Sequence, residues 1–272
     1  MTIRLSRVGM RALAGAAVVT VPTAAACGSG GPSYEQWAET DGAAGRIDLD
    51  SVQDAFKSAK STTDFEKRVN EIYEGDSLVL IRAKQESNGL VLEGWEDLDN
   101  NNVIDDASDD QLFGISERNN EHELRGHGAN SYYRSGFGAG DFLFTYMMIS
   151  AISPRGYYYS TPSTYARTTM TSQRNTYRSS SAYRNQVRTN SSYFNRQKGI
   201  AGSRYNDAGR NLSPGRQRYQ TAQKSSGSFK TSRTGVRSSW GTTGRSTSAS
   251  RSSGFRGGGG SQRIIGDHRT LV

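Results

Sequence analysis

One acidic stretch, residues 97–106, holds the side chains best suited to chemistry. It reads Asp-Leu-Asp-Asn-Asn-Asn-Val-Ile-Asp-Asp. Oxygen-bearing side chains recur at alternate positions, and this spacing suits the coordination of a hard cation such as Ca²⁺. The candidate ligands are the side chains of Asp97, Asp99, Asn101 and Asp105 and the backbone carbonyl of Val103. The competing interpretation is an acidic, solvated turn, which Asp and Asn also favour.

The stretch resembles the calcium loop of EF-hands and dockerin-like repeats, whose pattern is D-x-[DN]-x-[DN]-G. The resemblance implies a structural calcium ion that neutralises clustered carboxylates. Two positions depart from the pattern, since Asn102 stands in place of Gly and Ser108 in place of the final Glu. Asn adopts a left-handed backbone more readily than most residues, and Asp109 or Asp110 could supply the late carboxylate in a reshaped loop. The flanks have the pattern of strands, so this loop is predicted to connect hairpins without a helix pair.

No arrangement of residues in the chain indicates catalysis. The segment His122-Glu-Leu-Arg-Gly-His127 has one residue too many for the zinc-protease motif H-E-x-x-H, so a helix would not present both rings on one face. The sequence has no G-x-S-x-G motif, Walker loop or dinucleotide-binding fingerprint. We therefore expect a protein that is not an enzyme.

Residues 1–26 have the organisation of an export signal. Three arginines precede an uncharged, Ala-rich stretch that is too short to span a bilayer. The run Ala24-Ala-Ala-Cys27-Gly resembles a bacterial lipobox, although a lipobox usually has Leu at the position of Ala24. The resemblance implies cleavage before Cys27 and acylation of its thiol, which metabolic labelling with palmitate would detect. Residues 27–33 would then form a flexible spacer between the anchor and the domain. The alternative is ordinary signal cleavage that leaves Cys27 as a free thiol.

Charge divides the rest of the chain into two regions of opposite sign. Residues 155–272 contain 21 Lys and Arg and two Asp, whereas the net charge of the whole chain is only +8. The intervening residues are therefore strongly acidic. Such asymmetry indicates two regions with different partners, and we predict an acidic domain over residues 34–154 and a basic region over residues 155–272.

The acidic domain is predicted to have an α+β fold. Helical spacing of apolar residues indicates two N-terminal helices, the second of which begins at a capping box of Thr63 and Glu66. Alternating apolar residues then predict an antiparallel meander of about four strands, with Asn88-Gly89 as its clearest hairpin turn. The apolar residues 142–152 are predicted to form a short helix that closes over the sheet. The alternative is a helix that binds a membrane interface or a partner.

The basic region is rich in Ser, Thr, Arg, Gly and Tyr and poor in Leu, Ile and Val. Such a composition buries too little apolar surface to offset the entropy of ordering the backbone, so residues 155–272 are predicted to form a disordered basic tail. Arg recurs beside Tyr, and Arg suits contacts with anionic groups. The candidate polyanion-binding residues are Arg178, Arg184, Arg196, Arg204 and Arg218. The alternative is a solvated tether that binds nothing specific.

Together these features predict a non-enzymatic, exported lipoprotein of the bacterial cell envelope, held in the outer membrane if the host has one. Its lipid would anchor it to the membrane, and its tail would associate with anionic polymers or lipid headgroups. A second hypothesis is a module that docks a protein partner on the acidic domain or on residues 142–152, with the tail as a spacer. If the chain is not exported, nucleic acid becomes the expected partner of the tail.

Overall fold

A six-stranded antiparallel sheet organises the fold. The computed structural model describes residues 32–87, 89–118, 121–138, 157 and 159–234. The strands are β1 (Val79–Glu86), β2 (Gly89–Glu96), β3 (Asp110–Arg118), β4 (Glu121–Gly126), β5 (Arg134–Gly138) and β6 (Tyr159–Ser160). Their order in the sheet is β5-β4-β3-β2-β1-β6. The first five strands therefore form a meander, and β6 pairs with the outer edge of β1.

Helices precede and follow the meander. Those that precede it are α1 (Tyr34–Ala38), α2 (Leu49–Ser58) and α3 (Thr62–Ile72). Those that follow it, the C-terminal helices, are α4 (Ser163–Tyr165), a π-helix (Ala166–Met170), α5 (Thr171–Arg178), α6 (Ser181–Ala201), α7 (Ser203–Arg210) and α8 (Pro214–Ser226). Short 3₁₀ turns occupy Gly128–Asn130 and Ser228–Lys230. None of the described helices is both long and apolar enough to cross a membrane.

The α+β fold is confirmed, and the predicted helices and strands correspond to α2, α3 and β1–β4. The predicted number of elements was too low, since the described chain has six strands and further helices. The β1–β2 hairpin turns at Gly89, whose φ is +131°. A Cβ added there would lie 2.5 Å from the carbonyl oxygen of Glu117 in the neighbouring strand β3. Glycine is therefore required both by the backbone conformation and by the close approach of β3.

The predicted capping box of α3 is wrong. Ser61 is the N-cap, and its side chain accepts a hydrogen bond from the Asp64 backbone N–H at 3.1 Å. Glu66 is fully buried and instead accepts hydrogen bonds from the hydroxyls of Tyr159 at 2.6 Å and Thr161 at 2.5 Å. The carboxylate thus connects α3 to β6 and the residue that follows it.

Strand β1 is buried on both faces of the sheet. Val79 and Ile81 lie in the larger hydrophobic cluster, beneath α2 and α3. Leu80, between them, lies in a second cluster with Ala166 and Met170 of the π-helix. Successive strand residues point to opposite faces, so two covered faces explain why the strand begins with consecutive apolar residues, Val79-Leu-Ile81.

The prediction of a disordered tail is wrong for residues 159–234, which form β6 and the C-terminal helices. These helices bury aromatic and polar side chains in place of aliphatic ones. Tyr193 and Phe194 of α6 join the larger hydrophobic cluster, and Arg174 and Arg216 are also buried. Buried arginines are tolerated when acceptors pair with them. The acceptors of Arg174 are backbone carbonyls of residues 75–77, just before β1, and those of Arg216 are Glu96 and Asp110 of the meander. Residues 1–31, 139–156 and 235–272, which include the signal, Cys27 and the apolar segment 142–152, lie outside the described residues.

Candidate metal centre

The acidic loop between β2 and β3 brings three carboxylates together. One oxygen from each of Asp97, Asp99 and Asp109 lies within 4.8 Å of the other two. Asp97 and Asp109 are buried, whereas Asp99 is exposed. Three carboxylates at this separation can share one cation, and a set of oxygen donors favours a hard ion such as Ca²⁺.

The loop backbone is folded around Asp97. The two carboxylate oxygens of Asp97 accept hydrogen bonds from the backbone N–H groups of Asn101 at 3.1 Å and Asn102 at 2.8 Å. Asn100 and Asn102 have positive φ values of 58° and 63°. The second of these is the position at which calcium loops have Gly, so the left-handed turn is retained with Asn in its place.

The other predicted ligands have different places in the loop. The Asn101 side-chain oxygen accepts a hydrogen bond from the Val103 N–H at 2.7 Å, while its amide group donates to Asp99 at 2.9 Å. The Asp105 carboxylate accepts from the Ala107 N–H at 2.9 Å and is outside the group of three carboxylates. Two of the predicted ligands, Asp97 and Asp99, are thus members of that group, and Asp105 is not.

Asp109 supplies the late carboxylate. Its two oxygens accept hydrogen bonds from the backbone N–H groups of Leu98 at 3.0 Å and Asp105 at 2.8 Å, so it joins the two ends of the loop. The neighbouring Asp110 points elsewhere, because it accepts a hydrogen bond from Arg216 at 2.9 Å. The spacing of Asp109 does not follow the calcium-loop pattern, and only the reshaped loop brings it to Asp97.

Burial and mutual repulsion raise the pKa values of the buried carboxyls. Burial is the main cause for both groups, raising the pKa of Asp97 to about 6 and that of Asp109 to about 7, and the nearby acidic groups add to it. A cation would relieve this repulsion by compensating the clustered negative charge. The three carboxylates are thus a group that can hold a metal ion.

Of the five candidate polyanion-binding arginines, three are engaged within the protein. Arg178 donates to the carbonyl oxygens of Gly75 at 2.5 Å and Tyr73 at 3.4 Å. Arg196 forms an ion pair with Asp50, and Arg218 donates to the Ala107 carbonyl. These contacts tie the C-terminal helices to the meander and to α2.

Arg184 on α6 and Arg204 on α7 are exposed. Neither has a hydrogen-bond or ion-pair partner among the described residues. They are accordingly the members of the predicted set that remain available to an external anion.

Sequence reasoning missed a buried ionic network that joins α8 to the sheet. Arg216 donates to Asp110 and to Glu96, and Glu96 also accepts from the Tyr73 hydroxyl. All four residues are at most 2% exposed. The sequence does not reveal that Arg216 is buried in ion pairs, because arginines in the first turn of a polar helix are usually exposed.

Protein-family models, curated proteins and solved structures give no match to this chain. The carboxylate loop and the surface charges therefore carry the functional proposal.

Proposed function

We propose that this protein is a non-enzymatic, lipid-anchored component of the bacterial cell envelope that holds anionic polymers or lipid headgroups on its C-terminal helices. A calcium ion bound by Asp97, Asp99 and Asp109 steadies the α+β domain beneath those helices. The anchor is the acylated Cys27, as its lipobox-like surroundings suggest.

The observation that supports anion binding is the charge of the exposed surface of α6 and α7. Exposed cations on these two helices, the outer basic surface, are Arg184, Arg188, Arg196, Lys198, Arg204 and Arg210. The only acidic residue in α4–α8 is Asp207, which pairs with Arg210 at 3.4 Å. Closely spaced positive charges on ordered helices raise the local concentration of a polyanion and strengthen its binding.

A titration with fluorescent poly-glutamate tests the outer basic surface. This probe carries carboxylates alone, so binding reports charge and not a phosphate site. We expect the affinity of the full chain to fall steeply between about 0.1 M and about 1 M salt, as the Debye length shrinks from about 10 Å to about 3 Å.

Arg184→Gln/Arg188→Gln/Arg204→Gln should weaken this binding severalfold. The matched variant with Lys at the same three positions keeps the charge and should bind almost as well as the wild type. Salt-independent binding, or equal binding by the Gln and wild-type chains, would overturn the proposal.

Palmitate labelling with membrane fractionation tests the anchor. We expect Cys27→Ser to lose both the label and membrane retention. An unlabelled wild-type chain in the soluble fraction would contradict the lipid anchor and leave the anion-binding surface to be judged by the titration alone.

A further inference from the structure

A cleft of about 640 Å³ lies between α5, the carboxylate loop and the turn after α8. Its volume is within the range of small-molecule sites. Except for Leu78 and Tyr219, every residue that lines it is polar or charged. The cleft therefore suits a polar ligand and not an apolar one.

Four arginines line the cleft, namely Arg167, Arg174, Arg178 and Arg233. Only two acidic residues do so, Asp76 and Asp97. The lining thus carries an excess of two positive charges.

Two of the arginines are fixed in place by backbone carbonyls. Arg174 is buried and donates to the carbonyl oxygens of Gly75, Asp76 and Ser77. Arg178 donates to the Gly75 carbonyl at 2.5 Å. These bonds fix the orientation of the two guanidinium groups that line the cleft.

The other two arginines lie at more open positions. Arg167 and Arg233 are both exposed. Within the described part of the chain, neither guanidinium has a hydrogen-bond or ion-pair partner. Arg167 also lies in the π-helix Ala166–Met170, and π-turns are frequent at functional sites.

The two acidic groups of the cleft are already engaged. Asp76 accepts hydrogen bonds from the Thr234 N–H at 3.1 Å, from the Tyr219 hydroxyl at 3.2 Å and from the Ser232 hydroxyl. Both oxygens of Asp97 accept from loop N–H groups. These neutral donors orient the two carboxylates but do not remove their charge, so the lining keeps its excess of two positive charges.

We propose that this cleft binds a phosphate-bearing small molecule or headgroup. Arg167 and Arg233 contact the phosphate oxygens, and Arg174 and Arg178 supply a fixed positive potential. The planar guanidinium donates two parallel hydrogen bonds to a phosphate, which makes arginine the suited residue. The site is separate from the outer basic surface and does not depend on it.

Calorimetric titration of the full chain with inorganic pyrophosphate, in the presence of a metal chelator, tests the cleft. We expect saturable binding with one site per chain. Arg167→Gln/Arg233→Gln should weaken it about tenfold or more, because two charge-assisted contacts are lost. The control, Lys60→Gln/Lys67→Gln, removes the same charge from exposed positions outside both the cleft and the outer basic surface and should bind within about twofold of the wild type.

The variant Arg167→Lys/Arg233→Lys separates charge from geometry, and we expect an affinity between those of the wild type and the Gln variant. Soluble dihexanoyl phosphatidic acid, compared with dihexanoyl phosphatidylcholine, distinguishes a lipid headgroup from a free phosphate compound. Arginine-dependent binding of either pyrophosphate or phosphatidic acid supports the site and identifies the source. Equal weakening by the cleft and control variants, or no saturable binding of either probe, would overturn it, whatever the result with poly-glutamate.

Discussion

Arg216 donates a hydrogen bond to Asp110 at 2.9 Å across 106 positions of sequence. The arginine lies in the first turn of α8, and the aspartate is the first residue of β3. Both side chains are buried, so the last α-helix of the described chain is held to the sheet by a charge that water does not screen. This contact makes the C-terminal helices part of the folded unit.

Replacing Arg216 should destabilise the protein strongly. Arg216→Met removes the cation that faces Glu96 and Asp110 and leaves two carboxylates buried without it, which costs about 3–5 kcal/mol. Urea unfolding followed by tryptophan fluorescence measures this loss. The control Arg188→Met changes an exposed arginine and should shift the free energy of unfolding by less than about 0.5 kcal/mol. Equal stability of the two variants would contradict a stabilising role for the network.

Removing residues 157–272 should prevent cooperative folding. The shortened chain loses Arg216 from the buried network and Tyr193 and Phe194 from the larger hydrophobic cluster. We expect loss of near-ultraviolet circular dichroism and of a sharp unfolding transition, with helical and strand signals partly retained. A sharp transition like that of the full chain would show that the acidic domain folds alone.

Glu66 should make stability fall as pH rises. Burial raises the pKa of this carboxyl from 4.5 to about 7, against the opposing hydrogen bonds from Thr161 and Tyr159. The folded state therefore keeps a proton that the unfolded state releases above pH 4.5. The stabilisation is complete below that pH and is lost as the pH rises to about 7, in total about 3 kcal/mol.

Glu66→Gln tests this dependence, because Gln is neutral and keeps a carbonyl oxygen for the two hydroxyls. We expect the variant to gain about 3 kcal/mol relative to the wild type between pH 4.5 and pH 8. The exposed Glu39→Gln should change the free energy of unfolding by less than about 0.5 kcal/mol at either pH. Parallel pH profiles for Glu66→Gln and the wild type would refute the assignment.

Calcium should stabilise the protein more at pH 8 than at pH 5. The pKa values of Asp97 and Asp109 are raised to about 6 and about 7, so protons compete with the cation in acid. At a calcium concentration about 100 times Kd, we expect about 2.7 kcal/mol, or roughly 5–10 °C in the Tm.

Differential scanning calorimetry with and without a chelator measures the calcium effect. Asp109→Asn should abolish it, whereas Asp54→Asn, a change on the exposed side of α2, should leave it intact. A calcium effect of equal size in Asp109→Asn would remove this residue from the metal centre.

The meander was predictable because its signals are local. Alternation of apolar residues and the Asn88-Gly89 turn place β1 and β2 without knowledge of the rest of the chain. The carboxylate loop was predictable in part, because the alternating acids are local. Asp109 lies close to Asp97 because of the way the loop folds, and the spacing of residues in the sequence does not predict this.

The C-terminal helices were missed because their buried face is not apolar. On α6 the buried side chains include Gln186, Asn190, Tyr193, Gln197 and Ala201, which recur every three or four residues. This is the period of a helix face, but a search for hydrophobic periodicity does not register amides and phenols. The polar groups on this buried face find hydrogen-bond partners. The amide group of Asn190, for example, donates at 2.8 Å both to the Ile72 carbonyl and to Glu74.

The pairing of Glu96 and Asp110 with Arg216 also bears on the order of events during biosynthesis. Ribosomes release a chain from its N-terminus, so the acidic strands emerge more than a hundred residues before the arginine that compensates them. Until α8 arrives, the nascent meander is an open, negatively charged intermediate that cannot bury those carboxylates. Burial of the two carboxylates can therefore be completed only after α8 has been synthesised.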